Sequence, residues 1–249
     1  MRKSTFSRLL LIASSTFLVL QSCKNDVYLT TPVPVGDHSF SEEFDTASAA
    51  VARGWKFTNV SDPIGPSVWQ DGGGIPPFFA SYSNNGTYAG FIGADYQSTS
   101  AGAGLISNWL ISPKVLLKNG DKIVFYTRAL TYDPGYVAGD VTDFANRLRV
   151  RFNTNGSLDP ASFTNGLLDI NPVYKEWHKT PGVYGGVSYS ASDIAQAYPT
   201  QWTRFETVIT GLNQPVEGRF AFNYYLEDAG NAGRGSGVGI DHVSFTSAE

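Results

Sequence analysis

Acidic residues gather at both ends of this 249-residue chain's foldable stretch, with Glu42, Glu43 and Asp45 near its start and Asp241 near its close. Asp241 shares strand parity with Val243 and Phe245, apolar residues that read as core-facing. A carboxylate turned inward needs a partner, because burying it unpaired costs several kcal/mol. Calcium is one such partner: the ion takes roughly six to eight oxygens at about 2.3–2.6 Å, which makes Glu43, Asp45 and Asp241 its candidate ligands. In the other reading Asp241 accepts backbone N–H bonds in a turn, and the acids of Glu42-Glu43-Phe44-Asp45 are solvated or paired with arginine. No Asp-x-Asp-x-Asp-Gly loop favours the ion.

Catalytic constellations are harder to assemble. A glycosidase on a β-scaffold can use Glu-x-Asp-x-x-Glu, which sets its two outer carboxylates on one strand face around the glycosidic bond. Glu43-Phe44-Asp45-Thr46-Ala47-Ser48 begins that pattern but places Ser48 where the acid is needed. Glu227 and Asp228 are adjacent and on a strand point to opposite faces. There is no Gly-x-Ser-x-Gly elbow, Walker loop, dinucleotide fingerprint or His-Glu-x-x-His, and His38, His178 and His242 have no neighbours that read as a triad. One Cys and three His cannot build a zinc cluster or a disulfide framework.

Aromatic rings offer non-catalytic chemistry, because rings stack on the apolar faces of sugars while Asn, Asp and Arg take the hydroxyls. Trp69, Tyr82, Tyr96, Tyr132, Tyr136, Trp177 and Tyr184 fall in or beside expected loops, and Trp69, Trp177 and Tyr184 are the leading ligand-binding candidates. Trp55, Trp109 and Trp202 fit strand or core positions.

These residues must be positioned by strands. Charged residues are 16% and aromatics 14%, with 26 Gly and 13 Pro, which favours many short strands and excludes helical bundles. Arg147-Leu148-Arg149-Val150-Arg151-Phe152 alternates basic and apolar residues with period 2, and Phe220, Phe222 and Tyr224 alternate likewise. Further strands are expected over 55–60, 78–82, 88–92, 105–111, 122–130, 202–210 and 238–246. They are separated by turn signals such as Asn84-Asn85-Gly86 and Asn119-Gly120-Asp121. About ten strands without strand–helix alternation predict one antiparallel β-sandwich. Short helical turns are expected over 46–53 and, capped by Ser192, up to Ala197, with an irregular ordered loop across 174–198. A net charge of −4 provides no basic surface for a phosphate backbone, so a nucleic-acid partner is not expected.

The N-terminus reads as an address. Arg2, Lys3 and Arg8 precede the apolar runs 9–13 and 17–20, a secretory signal too short and too Ser/Thr-broken to span a membrane. Leu20-Gln21-Ser22-Cys23 resembles a bacterial lipobox, in which the cysteine is lipidated and becomes the first residue. The expected organisation is a signal peptide over 1–22, the lipidated Cys23 and a flexible tether to residue 37, and a domain over 38–249. The protein is then exported and lipid-anchored in a bacterial cell envelope, at the outer membrane or cell surface.

The domain as a whole resembles the choice-of-anchor J family, relatives of the cleaved adhesin domain of bacterial surface proteins. The likeness is carried by 40–45, Gly54-Trp55, the Trp69 region, Ile106-Ser107-Asn108-Trp109-Leu110-Ile111-Ser112-Pro113, Asn119-Gly120-Asp121 and 125–128. It continues through 147–151, Asp169-Ile170-Asn171-Pro172, Tyr198-Pro199, Trp202-Thr203, 218–222 and Gly239-Ile240-Asp241. The resemblance implies an all-β, jelly-roll-like sandwich whose anchor varies between members, here the lipid on Cys23. The expected function is non-catalytic binding or adhesion, with a carbohydrate or a surface protein as ligand. The rival functions are an extracellular glycan hydrolase and a structural envelope lipoprotein. In related jelly rolls a structural Ca²⁺ often sits where first and last strands meet. The stretch 174–197 departs from the family by its length.

Overall fold

The computed structural model describes residues 38–83, 88–135 and 137–249. The signal peptide, Cys23, the tether, the Asn84-Asn85-Gly86 turn and Tyr136 lie outside the described residues. The strands in chain order are β1 (Phe40–Glu42), β2 (Lys56–Asn59), β3 (Gln70–Asp71), β4 (Ile92–Asp95), β5 (Gly104–Ile111), β6 (Val115–Leu117) and β7 (Lys122–Ala129). They continue with β8 (Leu148–Asn153), β9 (Asn165–Ile170), β10 (Gly182–Tyr184), β11 (Val187–Tyr189), β12 (Thr203–Val208), β13 (Val216–Ala229) and β14 (Gly237–Thr246). Two short helices, α1 (Ala47–Ala52) and α2 (Ala191–Gln196), sit on connections. Among the described residues no helix is long and apolar enough to cross a membrane.

Two antiparallel sheets form the expected jelly-roll-like sandwich. One runs β12-β7-β14-β4-β3, with β1 pairing β14; the other runs β2-β5-β13-β8-β9, with β6 pairing β13. Alternation supplies the core between them. Ile123, Phe125 and Ala129 of β7 and Leu148, Val150 and Phe152 of β8 point inward, each buried. Phe40, Phe220 and Phe245 stack at centroid separations of 5.9–6.2 Å, and Phe125 meets Phe222 edge-on at 4.8 Å. Each fully buried ring of this kind contributes about 1.5–3 kcal/mol relative to exposure.

Several expected elements form elsewhere. Residues 78–82 make no strand; they lie over the outer face of the first sheet, where Phe79 stacks on Phe91 at 4.8 Å and the Trp202 Nε1–H donates to Ala80 O at 2.9 Å. The strand expected over 88–92 begins at Ile92. The irregular loop holds a hairpin, β10–β11, turned by Gly185 and Gly186 at φ +56° and +83°, the left-handed pair that a tight hairpin requires. Its helix, α2, is capped by Ser190 and not by Ser192: the Ser190 hydroxyl accepts from Asp193 N and the Asp193 carboxylate accepts from Ser190 N. The turn over 46–53 forms as expected, with Thr46 accepting from Ala49 N.

The consequential difference lies in β14. Between Asp241, opposite Tyr126, and Ser244, opposite Val124, three steps on β14 match two on β7, a β-bulge centred on His242 at φ +47°. The extra residue inverts side-chain parity, so Val243 and Phe245 face the core while Asp241 lies on the opposite face, beside Tyr126 and beneath the 78–83 segment.

Candidate functional site

Of the expected calcium ligands, Asp241 and Glu43 both lie beside His242, and each is taken up by protein donors. Asp241 is fully buried: its Oδ1 accepts from Ser83 Oγ (2.8 Å) and His242 N (2.7 Å), and its Oδ2 accepts from the backbone N–H groups of Tyr82 and Ser83 (both 2.9 Å). Burial pushes this carboxyl above its ordinary range, while the Ser83, His242 and Tyr82 donors pull it back. Glu43 turns to His242 Nδ1 at 2.8 Å, and Asp45 is exposed, within electrostatic reach of Arg53. Buried Glu42 pairs with Arg53 and accepts from Phe44 N. A cation needs oxygens with lone pairs to spare, whereas Asp241 is met by four donors whose positive ends point at it; this donor set does not fit calcium. Among the described residues no group of three or more His, Cys, Asp or Glu side chains is arranged to hold a metal.

Two of the three candidate binding rings are packed inside. Trp69 is 1% exposed and belongs to the main core. Tyr184 is 7% exposed, lies parallel to His178 at 4.3 Å, and donates to Thr180 O at 2.7 Å. Trp177 is half-buried, with its backbone N–H bound to Asp143 Oδ1 at 2.8 Å. Trp177 and Tyr184 help fasten the 174–189 segment. Buried His178 bonds through Nδ1 to Asp140 Oδ2 (2.8 Å), with Nε2 3.3 Å from Glu176 Oε1, and Glu176 also accepts from Thr142 and Tyr189. Asp143 is fully buried, and burial pushes its carboxyl up to about 7 against the pull of the Trp177, Ala145 and Asn146 N–H groups.

Beside this segment, the outer face of the second sheet carries a strip of alternating cations and rings, to which the segment contributes Tyr174. Arg149 on β8 stacks over Tyr225 of β13 at 3.5 Å, and Arg147 lies 5.6 Å from the same ring. Arg147 is also 5.4 Å from the Tyr174 ring, whose centroid Arg234 approaches at 4.6 Å. The strand registers set these positions: Arg149 is opposite Asn223 on β13 and Asp169 on β9. Its Nε and Nη2 donate to Asn223 Oδ1 at 3.0 and 2.7 Å, while Asp169 pairs with Arg147 and Arg151. Tyr174 is held at φ +56°, an uncommon backbone for an aromatic residue, with its hydroxyl accepting from Arg147 at 3.2 Å.

Beyond Tyr174 and Arg234 the strip opens into a groove of about 390 Å³, also lined by Lys175, Glu176, Tyr189 and Asp193. The Lys175 ammonium and the Ser190 hydroxyl hold Asp193 down at about 2. Half-buried rings, rigid guanidinium groups and mixed polar groups around a groove suit the recognition of a polar ligand. The alternating arginines of 147–151 were the sequence signal for this surface. Tyr174, Asn223, Tyr225 and Arg234 gave none, since separate elements bring them to it.

No family model matches the chain, and no curated protein is detectably similar to it in sequence. Among solved structures, the K1 cleaved adhesin domain of Lys-gingipain from Porphyromonas gingivalis W83 is similar at 20% identity and a TM-score of 0.51, over 85% of this chain and 99% of that one. The K3 cleaved adhesin domain of the same protein follows at 18% identity and 0.49, over 86% and 100%. The TmCBM61 module, solved with β-1,4-galactotriose, aligns at 9% identity and 0.39, over 82% and 95%. The first of these shows a shared fold, the sandwich of the cleaved adhesin domain.

Proposed function

We propose that this protein is a binding or adhesion module without catalytic activity, carried on a bacterial cell-envelope lipoprotein of the choice-of-anchor J type. In this reading residues 1–22 are removed, acyl chains on Cys23 hold the protein at the outer membrane or cell surface, and residues 23–37 tether the domain that begins at 38. The ligand is a carbohydrate or a surface protein.

The observation that carries the binding reading is the Arg149–Tyr225–Arg147–Tyr174–Arg234 strip beside its groove. It is a large investment of half-buried aromatic and cationic groups on a sheet face turned away from the core, where packing alone asks for nothing of the kind. The fold shared with a cleaved adhesin domain makes adhesion the first use to test. The test is binding of the purified lipoprotein, in detergent micelles, to arrayed glycans and to immobilised surface proteins. Saturable binding that Tyr225→Ala weakens supports the reading; absence of binding to every ligand in both sets counts against it.

A further inference from the structure

The charges on the strip do not balance, and the imbalance falls on one residue. Arg147, Arg149 and Arg151 project from the same face, and the carboxylate among them, Asp169, pairs with Arg147 and Arg151. Among the described residues no carboxylate is hydrogen-bonded to Arg149; its Nε and Nη2 both donate to the neutral Asn223 Oδ1. A guanidinium carries five N–H donors, so most of its fork is left over. Burial and the neighbouring Arg151 and Arg147 charges lower its pKa, against an opposing pull from Tyr225 and Asp169. Arg147 adds a second unmet donor, a buried Nε without a hydrogen-bond partner.

Arg149 is nevertheless held in place. The Tyr225 ring 3.5 Å beneath it and the Asn223 amide fix the plane of the guanidinium, so little side-chain freedom is lost when an anion binds. A planar carboxylate matches that fork in a bidentate pair.

We propose that the strip is a receptor for an acidic saccharide, in which Arg149 pairs with the carboxylate of a uronate residue. This inference rests on the binding reading above and names its ligand class. The flanking groups favour a sugar over an acidic peptide. Glu227 and Asp228 border Tyr174 and Arg234, and the whole chain carries a net charge of −4. A ligand with an acid at every residue is repelled by that field, whereas a sugar with one carboxylate and many hydroxyls places its hydroxyls against those same acceptors.

The test is calorimetry of the full lipoprotein in detergent micelles against trisaccharides that each end in one glucuronate or galacturonate. Each is compared with the same trisaccharide after reduction of its carboxyl to the alcohol, and with a tetraglutamate peptide. The expected result is at least tenfold tighter binding of one or more acidic sugars than of the reduced partner, weakened by salt and lost at least tenfold in Arg149→Gln. Arg149→Lys, which keeps the charge but not the fork, falls between. Arg204→Gln, at an exposed pair with Glu206 on the other sheet, binds like the parent. Thermal unfolding of each variant separates loss of the site from loss of the fold.

Equal binding of acidic and reduced sugars overturns the carboxylate assignment while leaving the binding reading intact. Peptide binding as tight as sugar binding overturns the saccharide assignment. Absence of binding to all probes overturns this proposal, and the glycan and protein arrays then decide whether the binding reading survives it.

Discussion

Asp241 and Ser83 are 158 residues apart in sequence and joined by two hydrogen bonds, Ser83 N to Oδ2 at 2.9 Å and Ser83 Oγ to Oδ1 at 2.8 Å. With Tyr82 N also on Oδ2 and the Tyr82 ring stacked on Tyr126 at 3.6 Å, this carboxylate pins the 78–83 segment across the outer face of the first sheet. Asp241→Ala therefore leaves buried N–H groups without acceptors, and we expect a loss of about 2–5 kcal/mol in denaturant unfolding. Asp241→Asn, which presents an NH₂ group where N–H donors converge, destabilises as well.

The same geometry makes a prediction about calcium. A cation bound only by the native state raises stability as RT ln(1 + [Ca²⁺]/Kd). Because the Asp241 oxygens are occupied by donors and Glu43 by His242, unfolding curves in EGTA and in millimolar calcium superimpose. A calcium-dependent rise that disappears in Asp241→Ala contradicts this account of the carboxylate.

Asp143 sets a pH dependence whose sign follows from its environment. Its folded value of about 7 lies above the ordinary 3.8, so the native state holds the proton more tightly than the unfolded chain. The associated stability is complete below the unfolded value and is lost as pH rises through about 7. Asp143→Asn lacks that titration, so its deficit relative to the parent, measured by urea unfolding, is largest at acid pH and shrinks toward pH ~8.

His178 joins the 174–189 segment to Asp140 while Tyr184 and Tyr189 pack on its ring at 4.3 and 4.0 Å. His178→Ala removes that link, and hydrogen exchange is expected to show lost protection over 174–189 with β7 and β14 unchanged. Uniform loss across the sandwich places His178 in the global core instead.

The sequence made the sandwich legible wherever a strand has one wet face and one dry one, as in Arg147–Phe152 and Phe220–Tyr224, because period 2 is then written in residue type. It misled at Asp241, where parity counting runs straight through the bulge at His242 and turns the residue to the wrong face. The burial of Trp69 and Tyr184 was equally hidden, since an aromatic near a turn reads the same whether the turn folds inward or outward. The strip was legible only in its arginines. Tyr174, Asn223, Tyr225 and Arg234 join them through the pairing of β8 with β13 and a left-handed residue at Tyr174, long-range facts that no local pattern encodes.

The central claim, that the cation–aromatic strip is a ligand-binding surface, is tested most directly by the glycan and surface-protein arrays probed with the parent and with Tyr225→Ala. Tyr225 supports Arg149 from beneath without taking part in the core, so its truncation should leave thermal unfolding within about 1 kcal/mol of the parent while costing at least about tenfold in affinity. Binding that is undiminished in a folded Tyr225→Ala variant places the ligand elsewhere on the sandwich and contradicts the account.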